Sequence, residues 1–135
     1  GVQTCALPIF FVEPTVFGNV TSNMRIAQEE VFGPIMSLMP YDDLDEAIDI
    51  ANSTTYGLTA AIWTNNYFTA MELSRSIEAG YVWVNGIGNH YRGQPYGGYK
   101  NSGIGREEGL DEMLSYTEVK SLNFAMGQVE RAKNN

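Results

Sequence analysis

Apolar and polar positions change period several times along this chain. Over residues 10–19, β-forming side chains are interrupted by Pro14 and Gly18, which predicts an irregular extended arm. Gly33-Pro34 is a breaker, and residues 35–41 then read as a buried strand. Asp43 is followed three positions on by Glu46, the pattern of a capping box. Leu44, Ala47, Ile48 and Ala51 repeat at helical spacing, so a helix is expected to run to about Asn52. Residues 58–64 form an apolar run of strand length. Asn65-Asn66 can cap a second helix, with Ala70, Leu73, Ser74 and Ile77 on one face and Met71 beside them. Gly80 falls where a helix C-terminus often needs a left-handed residue. Residues 81–85 read as a third strand.

The order strand, helix, strand, helix, strand predicts an α/β fold: a partial parallel open sheet with flanking helices and right-handed crossovers. Residues 86–102 then lose all periodicity and are rich in Gly, Asn, Tyr and Pro. A loop of this length within a domain is often functional. Residues 105–114 suit a short helix. Residues 115–126, with Tyr116, Thr117, Val119, Leu122 and Phe124, read as a final strand. The polar tail 127–135 is expected to fray. Nothing divides residues 10–114, and no internal repeat is present.

Composition narrows the choice of partners. The chain has 135 residues, 44% of them hydrophobic, enough for one folded core but not for two domains. Lys and Arg total 8 and Asp and Glu total 16, so the formal charge is 8 − 16 = −8. With no basic patch to offset it, this charge argues against nucleic acid as a partner. No apolar run approaches the roughly 20 residues of a membrane span, and no basic region leads into an apolar one as in a signal peptide. A cytoplasmic location is the expectation. Gly1 to Ile9 reads GVQTCALPI, which resembles a translated sequencing adapter, so residues 1–9 are set aside as a probable non-native artefact. The single cysteine, Cys5, lies in that stretch. No helix start, His or basic side chain near it in sequence would activate its thiol, so it is not read as a nucleophile.

Other tempting motifs fail on spacing. His90 is the only histidine, with no second ligand nearby, so no metal site is expected. Taken alone it reads as an exposed hydrogen-bonding loop residue. The run from Gly103 to Gly109 is one residue too long for G-x-G-x-x-G and does not follow a strand. Its glycines, with those at 97 and 98, are read as permitting tight turns and close backbone packing. Asp42, Asp43, Asp45 and Glu46 lack the calcium-loop pattern and suit a helix N-terminus instead. Lys100 and Arg106 are expected to pair with carboxylates or carbonyls elsewhere in a larger protein.

Four stretches in register carry a family resemblance. They are Phe11-Val12-Glu13-Pro14-Thr15-Val16 leading to Glu29-Glu30-Val31-Phe32-Gly33-Pro34; Tyr56-Gly57-Leu58; Gly80-Tyr81-Val82-Trp83-Val84-Asn85; and Pro95 to Glu107, reading PYGGYKNSGIGRE. Together they resemble the NAD(P)-dependent aldehyde dehydrogenase superfamily from Phe11 to about Phe124. The resemblance implies the C-terminal part of a catalytic domain over residues 10–114 and an oligomerisation strand over residues 115–126 that joins a neighbouring subunit. It implies NAD or NADP as cofactor, an aldehyde as substrate and a homodimer or homotetramer. It also implies that the catalytic cysteine, the general-base glutamate and the cofactor domain precede residue 1, so the isolated chain is expected to be inactive.

By the same resemblance, Glu30 and Phe32 match positions that hold the nicotinamide ribose. A carboxylate can accept hydrogen bonds from two vicinal hydroxyls while an aromatic face packs beside it. Asn85, Gly86, Gly88, His90 and Tyr96 match positions that line the aldehyde tunnel, where the glycines leave room and Tyr91 and Tyr96 suit an apolar or aromatic substrate. Glu29 is the weaker cofactor candidate. Two other readings stay open: a non-catalytic binding or assembly module, and a CoA-acylating semialdehyde dehydrogenase on the same scaffold.

Overall fold

The computed structural model describes residues 11–127. The expectations for residues 1–9, for Cys5 and for nearly all of the polar tail lie outside it. The elements are β1 (Thr15–Phe17), α1 (Arg25–Gln28), β2 (Ile35–Ser37), α2 (Leu44–Asn52), β3 (Tyr56–Gly57), β4 (Thr59–Ile62), α3 (Tyr67–Ser76), β5 (Tyr81–Val84), β6 (Tyr99–Lys100) and α4 (Leu110–Ser115).

The two longer helices start where their caps predict. Asp43 Oδ1 accepts from the Glu46 amide at 2.9 Å, and Glu46 Oε2 accepts from the Asp42 amide at 2.7 Å. That is a capping box whose return bond reaches one residue further back. Asn66 Oδ1 accepts from the amides of Phe68 and Thr69 at 2.9 and 3.2 Å. On α3, Ala70, Met71, Leu73 and Ser74 are half-buried while Glu72 and Arg75 are exposed, as the helical spacing requires.

The longer pairings are parallel. β1 pairs with β2 from Thr15↔Ile35 to Phe17↔Ser37, and β4 pairs with β5 from Thr59↔Tyr81 to Ile62↔Val84. Residues 10–19 are therefore not wholly irregular: Pro14 precedes the first ladder residue, where its missing N–H breaks no pairing. β2 does not join β4, so the expected open sheet is present as separate two-stranded ladders. Each ladder keeps an unpaired edge, because a strand can hydrogen-bond only to a neighbour that the chain supplies. The third ladder, β3 with β6, is antiparallel and was not evident from the sequence pattern.

Two further expectations need correction, and a third stays open. Gly80 is no left-handed helix cap: α3 ends at Ser76 with Ile77 as its C-cap, three residues before Gly80, and Gly80 is not among the positive-φ residues. Its glycine is needed for close approach, since a Cβ there would collide with the Gly97 carbonyl. The strand expected over residues 115–126 is one that pairs with a neighbouring subunit, which a single chain does not test: residues 116–127 have no ladder within the chain, and Val119, Phe124 and Met126 are 98%, 77% and 93% exposed. A strand needs a ladder partner, and none is present among the described residues. Finally, the single core is thin. Only Val20, Ile62, Ala79 and Tyr81 are buried among the apolar side chains described, because most apolar faces have nothing packed on them. Among the described residues no helix is long and apolar enough to cross a membrane.

Candidate functional site

Glu29 and Glu30 sit side by side after α1 and have different employments. Arg25, one turn earlier, holds Glu29 with two hydrogen bonds, Nε to Oε1 at 2.9 Å and Nη2 to Oε2 at 2.7 Å. Those bonds and the guanidinium charge hold the Glu29 carboxyl below the usual carboxylate range. Glu30 makes no side-chain hydrogen bond or ion pair among the described residues. It lines a cleft of about 380 Å³ with Thr54, Tyr56, Gly57, Leu58 and Ser102. Phe32, two residues on, is 93% exposed. A free carboxylate at a cleft and a bare aromatic ring nearby fit a ligand that offers vicinal hydroxyls and a flat ring.

The cleft floor is a set of backbones in close contact. The Gly57 amide donates to Ser102 Oγ at 2.9 Å, and the Gly80 amide donates to the Gly57 carbonyl at 3.0 Å. A Cβ on Gly57 would strike the Glu78 carbonyl, and one on Gly98 would strike Ser102. Gly97 and Gly98 of the PYGGYKNSGIGRE stretch therefore serve close packing, Gly103 takes a φ of 148° that suits a turn, and Gly105 has open space around it. A second cleft of about 310 Å³ shares Leu58 and Ser102 with the first and adds Tyr96, Gly97 and Arg106.

Lys100 and Arg106 find their partners within this chain, contrary to expectation. Lys100 Nζ donates to the carbonyls of Asn52 and Thr54 at 2.8 and 3.1 Å and pairs with Glu78 Oε2 at 2.6 Å. Arg106 Nη1 donates to the carbonyls of Gly98 and Gly105 at 3.0 and 2.7 Å, and its guanidinium lies 5.7 Å from the centre of the Tyr99 ring. Lys100 ties β6 to the end of α2, and Arg106 closes the glycine loop on itself beside Tyr99.

Of the loop candidates, Asn85 is engaged by both ends of its amide. Its Oδ1 accepts from the Thr64 amide and its Nδ2 donates to the Thr64 carbonyl, both at 2.9 Å. Its φ of 54° turns the chain out of β5 into the loop. Asn85 thus positions the loop, and one amide hydrogen and one oxygen lone pair of its side chain stay unused by these two bonds. Gly86 has open space around its Cα, and Gly88 combines open space with a φ of 78°.

His90 and Tyr96 come together with two residues that the sequence reading did not single out. The His90 ring stacks on Tyr81 at 5.3 Å and 15°, and lies 4.7 Å from Tyr96 and 5.8 Å from Trp83. Tyr81 is buried and packs on Trp83 at 4.8 Å. Glu108 holds His90 Nδ1 at 2.9 Å. So His90 is no solitary loop residue. The strand pattern exposed Tyr81 and Trp83 as alternate residues of one β5 face, which was the available signal. Glu108 lies 18 positions away, with no spacing rule to connect it. Among the described residues no group of His, Cys, Asp and Glu side chains is arranged to hold a metal ion.

A parallel β–α–β unit whose strand ends open into a glycine-rich loop, beside a cleft lined by a carboxylate, is an arrangement in which α/β proteins commonly hold a ligand. The chain belongs to the aldehyde dehydrogenase family, whose family model matches residues 6–122. That match begins within the stretch set aside as an artefact. The chain is 52% identical over 118 residues to the aldehyde dehydrogenase tropH of Talaromyces stipitatus, covering 87% of this chain and 23% of that protein. It is 47% identical over 117 residues to human retinaldehyde dehydrogenase 3, covering 87% of this chain and 23% of that one. Among solved structures, an indole-3-acetaldehyde dehydrogenase of P. syringae in complex with NAD+ and IAA superposes with a TM-score of 0.79 at 49% identity, over 83% of this chain and 23% of that one. An aldehyde dehydrogenase of Mycobacterium tuberculosis complexed with NAD+ gives 0.80 at 43% identity, over 89% and 25%. The chain spans about a quarter of the length of the relatives it matches.

Proposed function

We propose that this chain is part of an enzyme that oxidises an aldehyde to a carboxylic acid with NAD+ or NADP+, through a thioester on a cysteine that residues 10–135 do not supply. In the overall reaction the aldehyde and water give the acid and a proton, and the hydride passes to the nicotinamide. The observation that carries this reading is Glu30: a carboxylate without a side-chain partner among the described residues, at a cleft, within a family of aldehyde dehydrogenases.

Glu30 accepts hydrogen bonds from the two ribose hydroxyls, and Phe32 packs against the ring system. Holding the ring in one place raises the rate by positioning. The bound nicotinamide supplies the hydride acceptor. Support for a cofactor of this type comes from neighbours solved with NAD+. Gly86, Gly88, His90 and Tyr96 line the aldehyde path, and Asn85 fixes where that path begins. The aromatic group around His90 favours an apolar or aromatic aldehyde. Residues 116–126 add a strand to a neighbouring subunit, which would satisfy their unpaired backbone. The isolated chain is inactive.

The test starts with recovery of the gene upstream of the Phe10 codon. Expressed at full length, the protein is expected to reduce NAD+ or NADP+ with an aromatic aldehyde and to yield the acid. Adapter codons over residues 1–9 would identify that stretch as non-native. A native frame without a catalytic cysteine would instead favour a non-catalytic assembly module, the reading to which the exposed segment 116–126 also lends weight.

A further inference from the structure

We infer that Glu108 and His90 form a selectivity pair for aromatic aldehydes that carry a hydrogen-bond donor, an inference that rests on residues 85–96 lining the aldehyde path. Glu108 takes up His90 Nδ1 with both carboxylate oxygens at 2.9 Å. The partner of one ring nitrogen decides the state of the other. With Nδ1–H donated to Glu108, the neutral form of the ring presents Nε2 as a bare acceptor, and the selectivity rests on that form. Nε2 has no hydrogen-bond partner among the described residues, and the side chain is 35% exposed.

The pair is built, not incidental. Glu108 adopts a φ of 61°, a conformation that costs a non-glycine residue energy unless its surroundings impose it. Its surroundings do so from two sides: its amide donates to Glu112 Oε2 at 2.8 Å, and its carbonyl accepts from the Gly93 amide at 3.1 Å. The adjacent residue, Glu107, exchanges two backbone bonds with Tyr96 at 2.9 and 2.7 Å. The His90 ring is gripped as well. Tyr81 stacks against it, and Tyr81 in turn donates from its hydroxyl to Gln94 Oε1 at 3.1 Å. The result is an imidazole fixed in tautomer and in plane, with aromatic neighbours for a substrate ring and one free acceptor for a substrate hydroxyl.

Three benzaldehydes of equal size test this on the full-length protein: para-hydroxymethyl, para-methoxy and para-ethyl. Only the first can donate. Calorimetry is expected to show the hydroxymethyl compound binding roughly tenfold more tightly than the other two, the scale of one net hydrogen bond. His90→Phe abolishes the difference. Glu108→Gln keeps it, because an amide oxygen still accepts from Nδ1–H, and Glu108→Leu loses it. Equal binding of all three by the wild type, or an undiminished preference in His90→Phe, overturns the inference. Reduction of NAD(P)+ is followed separately. Turnover without discrimination removes this inference and leaves the dehydrogenase reading. Discrimination without turnover does the reverse.

Discussion

Asn85 and Thr64 are joined by a two-point amide–backbone clasp, with both bonds at 2.9 Å. The clasp ties the end of β5 to the residues that follow β4 and sets the direction in which the loop departs. Asn85→Gly keeps access to the left-handed backbone but removes both bonds, and is expected to cost about 1–3 kcal/mol. Asn85→Ala also meets the positive φ, which adds about 1 kcal/mol. Denaturant unfolding of the full-length protein measures both. Equal stability of the wild type and Asn85→Gly would show that the clasp contributes nothing.

Gly80 and Gly86 predict opposite responses to the same change. Gly80→Ala drives a methyl group into the Gly97 carbonyl, where only backbone can give way. Overpacking of this kind costs about 3 kcal/mol or more, so the variant should express poorly or melt well below the wild type. Gly86 has nothing within 4 Å of the added carbon, and Gly86→Ala should change the melting temperature little.

Glu29 and Glu30 provide a matched pair for the cofactor site. Glu30→Gln is expected to weaken binding of NAD+ or NADP+ about tenfold or more, through the loss of charge-assisted hydrogen bonds to the ribose. Glu29→Gln should leave cofactor affinity unchanged. Its effect on stability has a definite sign. The Arg25 contact depresses the Glu29 pKa, so its contribution exists above the unfolded value and is lost as pH falls through the folded one. The stabilities of Glu29→Gln and wild type therefore converge in acid. Fluorescence titration with the cofactor and melting curves across pH report the two effects.

Lys100 satisfies two carbonyls and one carboxylate at once. Lys100→Met keeps the stem and removes all three contacts, which should cost about 1–3 kcal/mol. Lys100→Arg should recover part of that. Identical unfolding curves for wild type and Lys100→Met would refute the anchoring role.

Residues 116–126 leave Val119, Leu122, Phe124 and Met126 exposed. If they pair with a neighbouring subunit, deletion of residues 116–135 from the full-length protein lowers its mass by light scattering from oligomer toward monomer. An unchanged oligomer counts against the pairing.

Local rules explain which parts of this chain were legible in advance. Asp43 with Glu46, and Asn66 alone, cap their helices through contacts two to three residues away, and such contacts follow from spacing. The strand cores at Ile35, Ala60 and Val82 followed from short apolar runs. The family stretches located Glu30, Phe32 and the loop. The ladder between Tyr56-Gly57 and Tyr99-Lys100 did not follow, because two residues are too few to carry a period. Nor did the role of Gly80, since a glycine kept for φ and a glycine kept for close approach look alike in sequence.

The amino-acid sequence alone determined the helices α2 and α3, the strands β2, β4 and β5, the family and the positions of the candidate residues, because each depends on neighbours within a turn or on a motif read in order. Tertiary structure decided how those residues are employed. It alone separated Glu30, free at a cleft, from Glu29, held by Arg25. It alone showed Asn85 engaged by Thr64, Lys100 anchored within the chain and Glu108 set against His90. Partnerships across 18 to 48 positions of sequence are written in no local pattern. They exist only where the folded backbone brings a donor and an acceptor within about 3 Å of each other.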